Sequence, residues 1–283
     1  MDLSVRPFRS VLYIPGDKPR AIEKARGLPV DAIIFDLEDA VAPQAKRAAR
    51  DTLAAELSAG GFGDRYKIIR VNEGDTVWGD DDLAAAIAMA PDAILLPKVE
   101  NAKTIADIEA AIPATTSIWA MMETPRAILN APEIAAHPRL NGFVLGTNDL
   151  AKELHSTGRA AMVSSLQMCL LAARAEDIIA IDGVYNAFKD EAGLRVESIE
   201  GRDMGFDGKS LIHPAQVDVA NAVYGPSQEV IELAKRQIAA FEQAEAEGKG
   251  IAIVDGKIVE SLHVVTAHQT LAKAAAIVAL EDV

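Results

Sequence analysis

The sequence holds one cysteine, Cys169, so no disulfide can form within the chain, which suits a reducing compartment. Its surroundings, Leu-Gln-Met-Cys-Leu-Leu-Ala-Ala, are an apolar helical run in which a thiol packs as a small hydrophobe. Basic residues are scarce: 28 Lys and Arg stand against 42 Asp and Glu, a formal net charge of −14. A surface of that sign repels nucleic acid and anionic membranes, which excludes both as partners. It also repels anionic metabolites, so a phosphorylated ligand would need a local basic patch. No segment reaches the ~18 uncharged apolar residues of a membrane helix. The opening Met-Asp-Leu-Ser-Val-Arg-Pro-Phe lacks the apolar run of a signal peptide. The expected location is therefore the cytoplasm.

What is present is a repeating alternation. Short runs rich in Val, Ile and Leu occur at Ser10–Ile14, Ala32–Leu37, Lys67–Val71, Ala93–Pro97, Ser117–Met122, Gly142–Leu145, Ile178–Val184 and Asp207–Ile212. Helix-like stretches separate them, such as Pro43–Leu57, Asp81–Met89, Ala102–Ala111, Val163–Ala175 and Glu191–Met204. Continuous apolar strands alternating with helices indicate a parallel sheet buried on both faces. Eight such units predict an α/β fold of the TIM (β/α)₈-barrel type over residues 1–225. The rival is an open doubly wound sheet, and no Gly-x-Gly-x-x-Gly or phosphate-loop signature follows the first run to support it. Residues 226–283 read as a C-terminal lid: a charged helix over Gln228–Glu247, a hairpin around Asp255-Gly256, and a last helix from about Leu262.

Active sites of such barrels lie at the carboxyl ends of the strands, and polar residues collect after these runs. The second ends Asp36-Leu37-Glu38-Asp39, the third Arg70-Val71-Asn72, and the fourth Pro97-Lys98. The fifth ends Glu123-Thr124, the sixth Thr147-Asn148-Asp149, the seventh Asp182-Gly183, and the eighth His213-Pro214. Glu123 and Asp149 terminate adjacent strands and could share a hard cation such as Mg²⁺, or each could cap a helix or pair with a lysine. Arg70 ends an apolar strand and needs a partner. Its planar fork suits a carboxylate or a developing oxyanion, or a structural pair with Glu38 or Asp39. Lys18, Arg20 and Lys24 cluster at a helix start, a patch that suits the phosphates of coenzyme A or is simply a solvated face. Glu38 could act as a base or orient Arg70. His213 could touch a cofactor or only a backbone group.

At these residues the chain resembles the citrate lyase β-subunit and the malyl-CoA and citramalyl-CoA lyases of the HpcH/HpaI aldolase superfamily. The matching stretches run in order: Leu12-Tyr13-Ile14-Pro15-Gly16, Phe35-Asp36-Leu37-Glu38-Asp39-Ala40-Val41, Arg70-Val71-Asn72, Pro97-Lys98-Val99, Glu123-Thr124, Gly146-Thr147-Asn148-Asp149-Leu150 and Ile212-His213-Pro214. Within that group it is most similar to the (3S)-malyl-CoA thioesterase branch, through Trp119-Ala120-Met121-Met122-Glu123-Thr124, Asp182-Gly183-Val184-Tyr185-Asn186-Ala187-Phe188 and Val254-Asp255-Gly256-Lys257-Ile258-Val259-Glu260. The resemblance implies that Glu123 and Asp149 hold Mg²⁺ (or Mn²⁺ in its place), and that Arg70 and Glu123 bind substrate. It places Tyr13, Lys18 and Lys24 where coenzyme A is contacted. It implies a homotrimer or hexamer whose lid reaches a neighbouring subunit's site.

One position departs from the pattern. The C–C-cleaving relatives carry an Asp in the lid where this chain has Glu260. The extra methylene moves the carboxylate by roughly an ångström, a misplacement that can disable a catalytic group. The expected activity is hydrolysis of (3S)-malyl-CoA to malate and CoA, with Arg70 at the thioester carbonyl and Glu38 or Glu260 as the base. The alternatives are a lyase releasing acetyl-CoA and a 2-oxo acid, and a subunit that binds acyl-CoA without turnover.

Overall fold

The computed structural model describes residue 3 and residues 5–281. Its first half runs β1 (Ser10–Pro15), α1 (Pro19–Ala25), β2 (Ala32–Asp36), α2 (Lys46–Ala59), β3 (Tyr66–Arg70), α3 (Gly79–Met89), β4 (Ala93–Leu96) and α4 (Ala102–Ala106). It continues with β5 (Ser117–Met122), α5 (Pro125–Leu129), α6 (Ala131–Ala135), β6 (Leu140–Leu145), α7 (Thr147–Glu153) and α8 (Val163–Ala175). Then come β7 (Ile179–Asp182), α9 (Glu191–Met204), β8 (Gly208–Leu211) and α10 (Val217–Tyr224). The strands pair in parallel in sequence order, and β8 returns to β1 with Val11 opposite Ser210, closing an eight-stranded barrel.

Alternation along each strand divides the core in two. Ala32 and Ile34, Tyr66 and Ile68, Ala93 and Leu95, Trp119 and Met121, and Ile179 and Ile181 face the barrel axis. Their neighbours Ile33, Phe35, Ile69, Ile94, Ala120 and Phe143 pack under the helices, together with Cys169. Both faces of every strand are covered, which is why the runs read as continuous apolar segments. Phe8, Tyr66 and Trp119 plug the amino-terminal end, with Phe8 centroids 5.2 Å from Tyr66 and 5.3 Å from Trp119. Trp119 fits because residue 142 is glycine: a Cβ there would lie 2.7 Å from the indole.

Asp182 corrects the sequence reading, which grouped it with the catalytic face. It is out of phase with the inward Ile179 and Ile181 and points between the barrel and α9. There Lys209 Nζ donates to it at 2.9 Å and to Glu197 at 2.8 Å, while Arg159 adds a two-pronged pair at 2.9 and 3.0 Å. A buried charge persists only when paired in this way.

Beyond α10 the chain forms α11 (Gln228–Ala246), the strands β9 (Ala252–Val254) and β10 (Lys257–Val259), and α12 (Ser261–Glu281). Asp255 and Gly256 both take positive φ, 51° and 76°, as a two-residue Asp-Gly hairpin requires. Phe241, Ala244, Ala252 and Val259 make a small core of their own. The far end of α12 lies on the amino-terminal side of the barrel, where Leu280 shares a cavity with Arg9 and Asp31. Among the described residues no helix is long and apolar enough to cross a membrane.

Candidate active site

The inward phase of the strands continues past the apolar layers, and its last rung is polar. Asp36 follows Ile34 on β2, Arg70 follows Ile68 on β3, and Glu123 follows Met121 just beyond β5. These side chains, with Tyr13 and Asp149, line a cavity of about 300 Å³ at the carboxyl ends of the strands. Val184 and Ile212 form part of its apolar wall.

Arg70 is buried at the centre. Its Nε and one terminal nitrogen donate to the two Asp36 oxygens at 2.8 and 2.6 Å. The other terminal nitrogen lies 2.8 Å from Glu38 Oε2 and 3.5 Å from Asp39 Oδ2, and the guanidinium sits over the Tyr13 ring at 5.0 Å. Burial alone would depress this guanidinium, but Asp36, Tyr13 and Glu38 outweigh it and hold it charged. The expectation that Arg70 pairs with Glu38 or Asp39 is thus incomplete, since its bidentate partner is Asp36. The parallel register sets Asp36 directly beside Arg70, and both lie in the inward phase, which a run apolar at every position does not reveal in the sequence. Glu38 is itself buried, which pushes its carboxyl up to about 8 against the opposing pull of Arg70.

Glu123 is almost wholly buried. Its Oε1 accepts the Lys98 backbone N–H at 2.8 Å. Burial raises its carboxyl to about 7, with Asp149 adding to the rise and the Lys98 N–H and Arg70 opposing it. Asp149 does not terminate a strand. It stands in the first turn of α7, which begins at Thr147 immediately after Gly146, and so reaches the same cavity from a helix. Gly146 is required here, because a Cβ would fall 2.4 Å from the Glu123 Cβ.

Behind the Asp36–Asp39 turn lies a residue the sequence reading missed. Lys46 is buried, and its Nζ donates to Leu37 O at 2.8 Å, Glu38 O at 2.7 Å and Asn72 Oδ1 at 2.8 Å. It ties the loop carrying Glu38 to the end of β3. Nothing in its polar, helix-starting context distinguishes it from a surface lysine. Lys46→Met is expected to cost about 3 kcal/mol of stability, because buried carbonyls lose their donor. Urea unfolding measures this; an unchanged midpoint would refute the tie.

The remaining predicted residues sit further out. Lys18, Arg20 and Lys24 are exposed at the start of α1 and along it, after the carboxyl end of β1, and Lys18 pairs with Asp17 at 2.7 Å. His213 caps the short turn Pro214–Gln216 by accepting the Ala215 N–H at 3.1 Å, and stacks on Phe188 at 4.5 Å. Its imidazole therefore has a structural occupation, while its neighbour Ile212 lines the cavity. Glu260 is exposed just before α12, its N–H donating to His263 Nδ1 at 3.0 Å, and does not line this chain's cavity.

Comparison with known proteins places this arrangement in context. Residues 9–214 match the model of the HpcH/HpaI aldolase/citrate lyase family. The chain is 62% identical over 276 residues, 96% of each chain, to (3S)-malyl-CoA thioesterase of Cereibacter sphaeroides. It is 36% identical over 284 residues to the citrate lyase subunit beta of Escherichia coli, covering 95% of this chain and 94% of that one. Its structure is similar to that of the protein CitE of Mycobacterium tuberculosis in complex with magnesium, acetoacetate and coenzyme A. That likeness has a TM-score of 0.79 at 31% identity, over 96% of this chain and 98% of the other.

Proposed function

The chain belongs to the HpcH/HpaI aldolase/citrate lyase family, and from that premise we propose that it hydrolyses (3S)-malyl-CoA to malate and free CoA. It is an enzyme, and the observation that carries this reading is the convergence of Arg70, Glu123 and Asp149 on one cavity at the barrel mouth. The 62% identity to a (3S)-malyl-CoA thioesterase supports the choice of substrate.

The site fits a divalent cation. Asp36, Asp39, Glu123 and Asp149 line the cavity with Arg70, and Asp36 is already neutralised by that arginine. The excess negative charge, and a buried Glu123 raised to about 7, are what a hard cation would relieve. Glu123 and Asp149 are the residues that would hold Mg²⁺, or Mn²⁺ in its place. When bound, the ion would supply Lewis-acid polarisation to an oxygen-rich substrate.

The chain's own residues do the rest. Arg70, fixed by Asp36, presents donors to the thioester carbonyl, where an oxyanion develops as water attacks and collapses as the C–S bond breaks, the CoA thiolate leaving and taking up a proton. Buried Glu38 touches the same guanidinium and is one candidate to take the proton from that water; Glu260 of a neighbouring subunit is the other. Tyr13 packs its ring on Arg70 and closes the cavity floor. Lys18, Arg20 and Lys24 meet the nucleotide end of CoA, where the acidic surface would otherwise repel it. His213 supports the rim next to Ile212.

The assembly we infer is a homotrimer or hexamer in the cytoplasm, with the C-terminal hairpin closing a neighbour's mouth. Glu260 is exposed and absent from its own cavity, α12 ends on the opposite face of the barrel, and Ile253 and Ile258 on the hairpin and Leu262 and Val265 in the first turns of α12 expose apolar surface. Mixing Glu260→Ala and Glu123→Gln subunits should restore part of the activity that each lacks alone; exchange without recovery rules out a shared site.

The direct test is incubation with (3S)-malyl-CoA and Mg²⁺, with products identified by mass spectrometry. Malate and CoA support hydrolysis. Acetyl-CoA with glyoxylate would make the protein a lyase, and bound but unchanged substrate a non-catalytic subunit. Lys18→Ala and Lys24→Ala should each raise KM roughly two- to five-fold at constant kcat, since exposed charge contacts are weak and remote from the reacting carbon. The effect should shrink with added salt. A fall in kcat at constant KM would remove these lysines from CoA binding.

A further inference from the structure

We propose that Lys98 is a positioning residue for Glu123, acting through a left-handed backbone that aims its N–H into the barrel. The inference rests on the reading of Glu123 as a metal ligand.

Lys98 has φ of +46°. Among the described residues the other non-glycine residues with positive φ are Ala90, His155, Asp177 and Asp255. Ala90 caps α3, and His155 and Asp177 follow the ends of α7 and α8, where a left-handed residue is the usual way to stop a helix. Asp255 belongs to the hairpin turn. Lys98 follows a strand instead, two residues past Leu96 at the end of β4 and on the catalytic face. A side chain with a Cβ is costly in this conformation and persists only where its surroundings fix it.

The surroundings do fix it. Pro97 has a locked φ on one side. On the other, Val99 is fully buried and Asn101 starts α4 by accepting the Thr104 N–H at 3.1 Å. The conformation delivers the Lys98 N–H to Glu123 Oε1 at 2.8 Å. The opposite oxygen lies against Gly146, where a Cβ would stand 2.5 Å from Oε2. One oxygen is thus pinned by a main-chain donor, and the other lies on the wall that also carries Thr147 and Asp149. The ammonium makes no hydrogen bond to Glu123: it sits 3.5 Å from Glu73 and is half exposed, and it feels the Glu123 charge only at longer range.

The two parts of the residue separate by substitution. Glycine adopts positive φ freely, and a β-branched residue is the least tolerant of it. With Mn²⁺ as the probe, free ion measured by electron paramagnetic resonance, Lys98→Gly should bind within about twofold of the parent. Lys98→Val should bind roughly 10- to 100-fold more weakly, the usual loss when a ligand's supporting hydrogen bond is disturbed. Lys98→Ala should fall between them, and it decides the matter should the valine variant not fold, as judged by its thermal melt. Equal losses in the glycine and alanine variants would assign the effect to the ammonium and overturn the proposal, as would parental affinity in both Lys98→Val and Lys98→Ala. Glu123→Gln is the control. If it binds Mn²⁺ like the parent, the metal reading fails on its own account, whereas a weakened Glu123→Gln with a flat Lys98 series fails the positioning role alone.

Discussion

Glu123→Gln and Asp149→Asn are each expected to lower kcat by about 10³-fold, the loss of several kcal/mol of electrostatic stabilisation at the reacting oxygens. Both changes conserve volume and remove one charge from a cavity that holds an excess of carboxylates. The fold should survive, and for Glu123 it should gain. Its carboxyl is almost wholly buried and raised to about 7, so the neutral amide removes a charge that folding disfavours. Mg²⁺ affinity, measured by calorimetric titration, should fall together with kcat. Loss of turnover at parental Mg²⁺ affinity in both variants would separate the two carboxylates from metal binding and leave them a purely catalytic role.

The second large effect is expected at the Arg70–Asp36 pair. Arg70→Lys keeps a positive charge but cannot span both Asp36 oxygens while also reaching Glu38. Losing one well-aimed oxyanion donor reduces kcat by about 10²- to 10³-fold. Asp36→Asn leaves the guanidinium in place but slackens its aim, and removing one member of a buried pair costs about 3–5 kcal/mol of stability. Because the two residues act as a unit, the double variant should lose far less than the sum of the single losses. Additive losses in kcat would mean that Asp36 merely stabilises the barrel and does not orient the arginine.

How much of this is readable without coordinates depends on the range of the interaction. The barrel is readable because it rests on local periodicity. A strand covered on both faces must be apolar at every position, so the runs at Ala32, Ala93 and Ser117 announce themselves, and parallel strands need the intervening helices. The location of the site follows from the same topology, since polar residues placed after apolar runs in a barrel can only gather at one end. The net charge of −14 is likewise readable without coordinates, because it is a sum over residues that does not depend on how the chain is folded.

Other features required the tertiary structure. Asp36 and Asp182 both close apolar strands and look alike in sequence. Phase relative to the axis sends Asp36 inward to Arg70 and Asp182 outward to Lys209 and Arg159. Lys46 reads as an ordinary residue near a helix start, and its three acceptors come from segments up to 26 residues away. Asp149 reaches the cavity from a helix turn, a difference of one or two residues in where α7 begins. Lys98 carries no sequence mark of a left-handed backbone, since a lysine avoids that region unless packing on both sides compels it. By itself the sequence determined the barrel, the end at which polar residues gather and the residue types there, because periodicity is a pattern among neighbours along the chain. Which carboxylate clamps the arginine, and which amide grips Glu123, only the tertiary structure decided, because those bonds depend on phase, register and backbone conformation between segments that meet only once the barrel has closed.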